Sequence, residues 1–333
     1  MNYYIQIRSR NKAKEDIDVL FQGMGYKNLS PKNNSKNAIM RFILRLVAVS
    51  KILFTLHKED VLCLQYPMKK FYTLACKLTH AKGAKVITII HDLGAFRRHK
   101  LTIKKENRRL ANSDVIIVHN DRMKEHLLNN GCKQTVITLG IFDYLTTSEP
   151  SHAIRKRNSP CKVAYAGNLA RWRNEFLYHL EEETVTWTME VYGKGFDEPH
   201  NSNPNLHYHG MVSPDDFVSK CDADFGLVWD GSSLDECDGE WGRYLLVNNP
   251  HKTSFYLRAG IPVIVWAESA MAPFILKHGM GIVIHSIRDL KVILSRMSDE
   301  TYSSLKTNAI HFSELLGNGT YTHRAFEEAM RRI

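Results

Sequence analysis

The sequence lacks several features that would place it in a familiar class of protein. Its six cysteines form no CxxC pair, so a zinc site or a secreted disulfide framework is not expected, and reduced thiols in a cytoplasm fit best. No run of about 18 uninterrupted apolar residues is present, so no membrane-spanning helix is predicted. Met1 leads directly into the strand-like residues 3–7, and we expect no signal peptide.

Positive charge is concentrated in the first half of the chain. Residues 1–150 hold 26 Lys and Arg against 12 Asp and Glu, whereas residues 151–333 hold 19 against 23. A basic half and a mildly acidic half predict different partners. Nucleic acid is one candidate, but the basic half lacks an aromatic-interleaved motif or a recognisable nucleic-acid module, and we expect no nucleic-acid partner.

An anionic membrane surface is the better candidate partner for the basic half. Residues 38–54 are apolar and basic, with Arg41 and Arg45 four positions apart on one helical face. Such a helix can lie on a membrane interface. It can equally be a covering helix of an α/β domain whose arginines extend to solvent. The sequence leaves both interpretations open.

Alternating apolar runs and helical patterns predict an α/β fold of two Rossmann-like domains. Strands are expected in one half at 3–7, 61–65, 85–91, 115–118 and 136–139, and in the other at 162–166, 188–192, 206–208, 225–229, 262–265 and 282–284. Such units build parallel sheets. We therefore expect an N-terminal domain over 1–150 and a C-terminal domain over 161–320, their sheets facing a central cleft where ligands bind. Residues 151–160 have the composition of a linker, and a helix within 321–333 is expected to cross back to the first domain.

The run from Asn248 to Val265 is the most informative stretch. Asn249 is predicted as a helix N-cap and Pro250 as the first helical residue. The N–H groups of that helix end, together with His251, Lys252, and the Thr253 and Ser254 hydroxyls, suit a diphosphate. An ordinary αβ unit, whose cap merely begins a helix, gives the same pattern.

Three strand ends of the second half carry further candidates. Gly167 lets the backbone approach a ligand closely beside Asn168, and Arg171 can fork onto phosphate oxygens. There is no GxGxxG fingerprint, and Gly-Asn is also a common turn pair. Tyr192, with the peptide groups of Gly210 and Met211, can hold a flat base. Residues 162–171 are predicted to run as strand, tight turn and helix.

Acidic residues of the second half offer a possible metal motif. Asp222-Ala223-Asp224 resembles DxD, but it precedes a hydrophobic strand, so its carboxylates are expected to cap or flank that strand. Residues 230–240 are predicted to form a mobile surface loop or lid. We therefore expect no metal and no other cofactor.

Polar residues at strand ends of the first half suggest a base. His91 and Asp92 follow a buried strand, where function is usually found in such sheets. Either can take a proton from a hydroxyl, and Asp92 is nominated first, His91 second; either can instead cap the next loop. Arg8, Arg10 and Asn11 follow the first strand, as phosphate or acceptor contacts or as a solvated turn.

Several of these segments, in the same order along the chain, resemble bacterial β-1,6-galactofuranosyltransferases of O-antigen and exopolysaccharide assembly. They are residues 65–67, 141–145, 165–171, 226–231 and 248–254. A looser similarity extends to the streptococcal adhesin glucosyltransferases. The resemblance implies a GT-B fold, a UDP-sugar donor bound by the second domain and no metal. In the looser relatives, the residues that hold the nucleotide match Arg171, Tyr192 and Lys252.

The resemblance and the residues together predict a hexosyltransferase. It would transfer galactofuranose, with inversion, from UDP to a lipid-linked or oligosaccharide acceptor. We expect a cytoplasmic protein at the inner face of the plasma membrane, with a homo-oligomer possible. Alternatives are a UDP-glucose or galactopyranose transferase, a non-catalytic GT-B scaffold subunit and a nucleic-acid-binding α/β protein.

Overall fold

The computed structural model describes residues 1–6, 11–32, 37–68, 70–97, 101–151, 153–181, 183–184, 186–197 and 203–333. It divides into two compact units. Unit 1 comprises Met1–Gly140 with Tyr321–Ile333, and unit 2 comprises Ile141–Thr320.

Unit 1 is built on a parallel sheet of six strands. The strands are β1 (Asn2–Tyr4), β2 (Lys27–Asn28), β3 (Val61–Tyr66), β4 (Lys85–Ile90), β5 (Val115–Val118) and β6 (Thr135–Thr138). Their order in the sheet is β2-β1-β3-β4-β5-β6. β3 and β5 are buried throughout, which explains their continuous apolar sequences, since a parallel sheet is covered on both faces.

Helices cover this sheet. They are α1 (Lys12–Gly23), α2 (Ala38–Thr55), α3 (Tyr72–Ala81), α4 (Gly94–Arg97), α5 (Ile103–Leu110) and α6 (Asp121–Asn129). Side chains of Asn11, Asn37, Thr102 and Asn120 cap four of them by accepting from first-turn N–H groups. Such caps satisfy donors that the helix itself leaves open.

Unit 2 holds a second parallel sheet of six strands. The strands are β7 (Cys161–Asn168), β8 (Trp187–Lys194), β9 (Leu206–Tyr208), β10 (Phe225–Val228), β11 (Val263–Trp266) and β12 (Gly281–Ile284). The order is β12-β11-β10-β7-β8-β9. The chain adds strands on one side of β7 and then, from β10, on the other side. The boundary between β7 and β10 is therefore a topological switch point, where ligands bind at the carboxyl ends of strands.

The helices of unit 2 follow the same alternation. They are α7 (Pro214–Lys220), α8 (Gly239–Tyr244), α9 (His251–Arg258), α10 (Ala272–His278), α11 (Leu290–Arg296) and α12 (Asp299–Gly317), with 3₁₀ turns at Glu175–His179 and Ile287–Asp289. The last helix is α13 (Thr320–Met330). Its Phe326 ring meets Phe21 of α1 edge-on at 4.9 Å, so this helix packs within unit 1.

The predicted fold class, two Rossmann-like α/β domains with parallel sheets, is confirmed. Most strand ends differ by one or two residues from the prediction, but β1 ends at Tyr4 instead of residue 7. The helix expected directly after β7 was wrong, because the chain makes a turn there before the 3₁₀ turn at Glu175. Within the described ranges, none of the helices is long and apolar enough to cross a membrane.

The polar segment 151–160 is bound to unit 2. Arg155 pairs with the fully buried carboxylate of Asp224 at 2.8 Å, and Arg157 donates to the Leu294 carbonyl at 2.6 Å. Asn158 and Lys162 N–H groups also donate to Asp224. The segment therefore has the composition of a linker but is bound to unit 2. Its arginines bind the buried Asp224 carboxylate and the Leu294 carbonyl, and these contacts could not be read from the sequence.

Candidate functional site

A cavity of about 650 Å³ lies in unit 2 at the carboxyl ends of β7 and β8, beside the start of α9. Gly167 and Asn168 line it from β7, Tyr192 from β8, and Lys252 from α9. The volume is in the range of small-ligand sites. The cavity lies at the carboxyl end of β7, one of the two strands that form the switch point, so its position is the one expected for a ligand of such a fold.

Glycines at the two strand ends permit the close approach that shapes this cavity. Gly193 has φ +143°, and a Cβ added to it would lie 1.9 Å from the Gly167 carbonyl oxygen. Gly167 has φ +134°, and its added Cβ would meet the Lys252 side chain at 3.4 Å. The backbone of β7 therefore lies in van der Waals contact with the aliphatic stem of Lys252, and the positive φ of Gly167 is what requires glycine there.

The start of α9 opens on the cavity, one residue later than predicted. Pro250 is the N-cap, with extended backbone, and no side chain caps the helix. The prediction of Asn249 as N-cap was wrong; Asn249 precedes the cap and is buried. The first N–H groups of a helix have no acceptors within it and carry partial positive charge. His251 and Lys252 bring this end to the wall of the cavity.

Lys252 is the central cation of the cavity. Its Nζ donates to the Tyr165 hydroxyl at 2.6 Å and lies 3.4 Å from Asp230 Oδ1. The same ammonium lies 4.0 Å from the centroid of the Tyr165 ring. Burial lowers the pKa of Lys252 to about 8, against the opposing attraction of Asp230. Keeping Lys252 charged therefore costs desolvation free energy, and an anionic ligand beside the ammonium would offset that cost.

Asp230 holds the cations of this region together. It is buried and bonded to Arg173 at 2.9 Å as well as to Lys252. Arg173 in turn lies with its guanidinium 3.8 Å from the centroid of the Trp241 ring. The prediction that residues 230–240 form a mobile surface loop was wrong, because Asp230, Leu234 and Cys237 are buried. Charge pairing and apolar burial anchor the segment.

The aspartates of the DxD-like motif are engaged structurally. Asp222 pairs with Lys162 at 2.6 Å, and Asp224 binds Arg155 and accepts from the Tyr302 hydroxyl at 3.2 Å. As expected from the sequence, the two carboxylates flank the start of β10.

An aromatic wall faces the cavity from β8 and the following helices. Tyr192 stacks on His209 at 4.6 Å with an interplanar angle of 11°, and Phe217 meets it edge-on at 5.0 Å. His209 is bonded to Glu190 at 2.6 Å. Tyr192 is therefore clamped on two sides, which pre-organises a flat surface for an aromatic base.

Of the other residues predicted for the donor site in unit 2, some line the cavity and others are buried away from it. Met211 lines the cavity and is 67% exposed, and Gly210 next to it accepts from the Gly193 N–H. Thr253 and Ser254 are buried instead; Ser254 donates to the Phe142 carbonyl at 2.7 Å. Their hydroxyls point into the fold because, at the third and fourth positions of α9, they lie on its packed face.

Arg171 occupies a different place from Lys252. Its guanidinium lies 3.5 Å from Glu175 and 4.9 Å from the centroid of the Tyr178 ring, with 48% of its side chain exposed. The nearby arginine that reaches Asp230 is Arg173. An exposed ion pair of this kind contributes little, about 0–1 kcal/mol, so Arg171 can exchange its partner at low cost.

Some lining residues were missed by the sequence analysis. Tyr144 stacks on His251 at 4.7 Å, and Phe255 and Phe217 complete the wall with ring centroids 4.3 Å apart. Phe217 and Phe255 lie in helices. Aromatic residues in helices usually belong to the core, so the sequence alone did not mark these two as ligand contacts. Lys194 and Gly195 did carry a signal, since a Gly-Lys-Gly run lies at the carboxyl end of a buried strand.

Unit 1 has a polar cluster at the carboxyl end of its sheet. His91 and Asp92 follow β4, His91 buried and Asp92 half-buried. The His91 Nε2 lies 2.7 Å from the Gln65 Oε1 of β3. The amide nitrogen of Gln65 donates to Asp18 at 2.7 Å and to the Lys14 carbonyl at 3.2 Å. The cluster thus links α1, β3 and β4 at the predicted position of the base.

Asn11 and the preceding arginines complete the sequence candidates. Asn11 caps α1, because its side chain accepts a hydrogen bond from the Lys14 N–H. The sequence analysis predicted a phosphate or acceptor contact for Asn11 and did not predict this structural role. Arg8 and Arg10 lie outside the described residues.

Family models match almost the whole chain. The model of the glucosyltransferase 3-like N-terminal domain matches residues 2–141, and that of the C-terminal domain matches residues 163–329. The chain belongs to the glucosyltransferase 3-like family. It is 30% identical over 323 residues to the β-1,6-galactofuranosyltransferase WbbI of Escherichia coli K12, covering 96% of this chain and 93% of WbbI. It is 26% identical over 336 residues to glucosyltransferase 3 of Streptococcus gordonii, covering 96% and 94%.

Solved structures of glycosyltransferases share the fold of this glucosyltransferase 3-like protein. Anabaena HepE, solved in complex with UDP and glucose, superimposes with a TM-score of 0.61 at 10% identity, covering 100% of this chain and 99% of HepE. AviGT4, of avilamycin A biosynthesis, gives a TM-score of 0.58 at 11% identity, covering 99% and 97%. The fold is GT-B, and the protein is a glycosyltransferase. The resemblance found in the sequence is confirmed.

Proposed function

We propose that the protein transfers a hexose, galactofuranose in the first instance, from a UDP-sugar to a hydroxyl of a lipid-linked glycan. The choice of sugar rests on the 30% identity to WbbI over nearly the whole length of both chains. The observation that carries the donor assignment is the cavity in which the start of α9, Lys252 and the Tyr192 wall meet. By its placement next to the α9 start, Tyr192 would stack on the uracil ring while α9 holds the diphosphate.

Charge stabilisation in this proposal comes from the protein. The departing UDP gains negative charge as the glycosidic bond breaks, and preorganised donors in a dry site stabilise such charge strongly. The first N–H groups of α9 and the Lys252 ammonium would do this, with Arg171 exchanging Glu175 for a phosphate oxygen. Asn168 and His251, which line the same cavity, would contact the donor. We therefore propose a reaction that needs no metal ion and no cofactor.

Acceptor activation is assigned to unit 1. An α-linked donor giving a β-linked product requires inversion by a single displacement, in which one base takes the acceptor proton. Asp92 and His91 follow β4. Asp92 stays the first nomination, because it is half-buried, whereas the His91 Nδ1 is buried and its Nε2 lies against Gln65. Replacement of each residue by Asn compares the two nominations directly.

The decisive experiment is a donor screen with purified protein. UDP-galactofuranose, UDP-galactopyranose and UDP-glucose are offered with a lipid-linked acceptor, and the product linkage is determined by NMR. We expect transfer from UDP-galactofuranose, unchanged by a chelator. Transfer from a pyranose donor alone would change the proposed donor sugar but leave the proposed donor site standing. Loss of activity with the chelator would refute metal independence. Failure of the protein to bind UDP would favour a scaffold subunit.

We further propose that α2 places the enzyme on an anionic membrane surface, where lipid-linked acceptors lie. Ala48, Val49 and Ile52 bury one face of α2. The rest of the helix exposes an unusual amount of apolar surface, including Phe54 at 85%, Ile39 at 71% and Ile43 at 46%. A soluble helix normally turns polar residues outward.

Charge complementarity supports an anionic membrane as the occupant of this surface. α2 carries Arg41, Arg45 and Lys51 and no acidic residue, and the Lys70 ammonium lies 4.5 Å from the centroid of the Phe42 ring. Each such cation contributes about 1 kcal/mol near an anionic leaflet, and the apolar side chains add insertion energy. The helix therefore suits the anionic inner face of a cytoplasmic membrane better than a second copy of the same basic surface.

Vesicle sedimentation tests this second proposal. We expect binding to phosphatidylcholine vesicles that contain phosphatidylglycerol, weaker binding to phosphatidylcholine alone, and loss of binding in Ile39→Ser/Ile43→Ser. The matched control is Val292→Ser, a 49% exposed apolar residue of α11 in unit 2. Equal sedimentation of both variants would contradict the proposal, as would an oligomer in solution that only the α2 variant dissociates.

A further inference from the structure

One face of β8 carries polar side chains that end at the aromatic wall of the cavity. Alternate residues of a strand point to the same side of its sheet, so Thr188, Glu190 and Tyr192 share one face of β8. On the neighbouring strand β9, His207 lies opposite Glu190. Thr188 and Glu190 are buried, whereas Tyr192 is half-buried and lines the cavity. The polar face therefore leads from the interior of unit 2 to the proposed base-binding surface.

Glu190 binds two histidines through its carboxylate. Its Oε2 lies 2.6 Å from the His209 Nε2, and its Oε1 lies 3.0 Å from the His207 Nδ1 and accepts from the Thr188 hydroxyl at 2.8 Å. Burial would raise the pKa of this carboxyl, but the hydrogen bonds from His209, His207 and Thr188 lower it below its ordinary value. Because a carboxylate can only accept, both facing ring nitrogens carry a proton. The His209 ring is therefore fixed by a charge-assisted hydrogen bond.

His209 lies behind Tyr192 as seen from the cavity. Its imidazole stacks on the Tyr192 ring, with the centroids 4.6 Å apart and an interplanar angle of 11°. The described residues that line the cavity include Tyr192 and Phe217 but not His209, and Phe217 meets Tyr192 edge-on at 5.0 Å. His209 therefore covers the face of Tyr192 that is turned away from the cavity, which leaves the opposite face for a ligand.

The support of the Tyr192 ring has a consequence for binding. A tyrosine at the end of a strand can rotate about its side-chain bonds, and ordering it only when a ligand binds would weaken affinity through lost conformational entropy. The stacked imidazole orders the ring before the ligand arrives. The His209 side chain is itself 40% exposed, so packing around it is incomplete, and its bond to the buried Glu190 supplies the anchor.

We propose that Glu190 is a positioning residue for the donor: it holds the His209 imidazole against Tyr192, and so keeps the Tyr192 ring in the orientation that stacks on the base. The base half of the donor then depends on this chain of contacts, whereas the diphosphate half, at the start of α9, does not. This inference rests on the proposed function for the identity of the ligand, whereas the support of the ring does not.

A matched pair of histidine variants tests the support of the ring. His209→Ala and His207→Ala each remove one hydrogen bond to the same carboxylate, but the ring stacked on Tyr192 is that of His209. By calorimetry we expect the Kd of UDP to rise about 3–10-fold in His209→Ala and to change less than about twofold in His207→Ala, the range for one side chain that must be ordered on binding. Uridine, which lacks the phosphates, should lose affinity by the same factor. Equal losses in the two variants, or a loss for UDP without one for uridine, would contradict the proposal.

Variants of Glu190 test whether it acts through His209. Glu190→Leu removes the acceptor, so we expect the same rise in Kd as in His209→Ala, whereas Glu190→Gln keeps an amide oxygen that can accept from the His209 Nε2–H and should restore affinity. In Glu190→Leu the KM of the donor should rise while kcat and the KM of the acceptor stay unchanged, since stacking on the base is the same in the ground state and the transition state. Glu190→Leu combined with His209→Ala should bind no more weakly than either alone, because one acts through the other. Additive losses would refute the proposal.

The orientation of the Tyr192 ring is measured without a ligand, by NMR on protein labelled with ¹³C-tyrosine. The stacked imidazole should shift the Tyr192 ring signals upfield, and the Tyr192→Phe spectrum identifies these signals among the 14 tyrosines. We expect the shift in the wild type and in Glu190→Gln, and its loss in Glu190→Leu. A retained shift in a folded Glu190→Leu protein would overturn the inference. If that variant does not fold, the histidine pair still tests the support, because it leaves the buried carboxylate in place.

The outcomes separate this inference from the proposed function. A wild-type protein that bound neither UDP nor uridine would refute the proposed donor and with it the base-binding role of Tyr192, although the NMR signals would still show whether Glu190 holds the ring. Unchanged UDP affinity in a Glu190→Leu protein that has lost the Tyr192 shift would refute the positioning role and leave the transferase assignment intact. Failure of Glu190→Gln to restore the shift and the affinity would also refute it.

Discussion

Replacement of Lys252 by Met should lower turnover and raise stability at the same time. The ammonium is held in a desolvated position, where burial lowers its pKa from 10.5 to about 8. At 1.36 kcal/mol for each pKa unit, keeping the charge costs the folded protein about 3 kcal/mol. The sign follows from linkage: the penalty is fully present below pH 8 and disappears as the pH rises towards 10.5.

Methionine removes this penalty without creating new ones. The Asp230 carboxylate keeps its bonds to Arg173, and the Tyr165 hydroxyl keeps Asn174 and the Trp229 carbonyl at 2.8 and 2.9 Å. Lost contacts of the Lys252 amine offset part of the gain, so we expect a net stabilisation of about 1–2 kcal/mol. At about 2–4 °C per kcal/mol for a domain of this size, Tm should rise by a few degrees.

Turnover should fall by about 10²–10³-fold, as for the removal of one charge-stabilising donor. Steady-state kinetics and thermal melting at pH 7 measure the two effects on the same protein. The matched control is Lys277→Met, which removes an exposed lysine of α10 in the same unit and should change neither quantity. Near-normal turnover in Lys252→Met would remove this lysine from the mechanism, and a lower Tm would refute the desolvation argument.

Three further predictions follow from the same cavity. If UDP binds only to the charged form of Lys252, whose pKa is about 8, the Kd of UDP should change little below pH 7, be about twofold higher at pH 8 and rise towards tenfold per pH unit above it. Calorimetry should show this slope in the wild type and its absence in Lys252→Arg. Tyr192→Ala should weaken UDP binding by about 1–3 kcal/mol through lost stacking, whereas Tyr192→Phe should bind normally, and equal losses in both would contradict the stacking role. Gly193→Ala, whose added Cβ would lie 1.9 Å from the Gly167 carbonyl oxygen, should lower the unfolding free energy by more than about 2 kcal/mol. The control Gly239→Ala has a positive φ but open space around its Cβ, so its unfolding free energy should fall less. Equal melting temperatures of the two variants would contradict the steric account.

The parallel sheets could be predicted because buried strands leave a local record. Runs such as Val115–Val118 and Val263–Trp266 are apolar throughout, since both faces of each strand are covered. β2 was missed because its two exposed residues, Lys27 and Asn28, carry no such pattern. Strand position then predicted the location of His91 and Tyr192 at carboxyl ends.

The partners of the charged residues could not be predicted. Asp230 and Lys252 are 22 positions apart in sequence, and Arg155 and Asp224 are 69 apart, so only the fold shows that they pair. Composition made residues 151–160 look like a linker and residues 230–240 like a lid for this reason. The same limit applies to Gln65, whose bonds to Asp18 and His91 join three separate elements.

The most direct test of the donor site is a crystal structure of the protein with UDP. We expect the β-phosphate within hydrogen-bond distance of the N–H groups of His251 and Lys252 and of the Lys252 Nζ, and the uracil ring against Tyr192. Diphosphate density at any other place, with the start of α9 bare, would contradict the account.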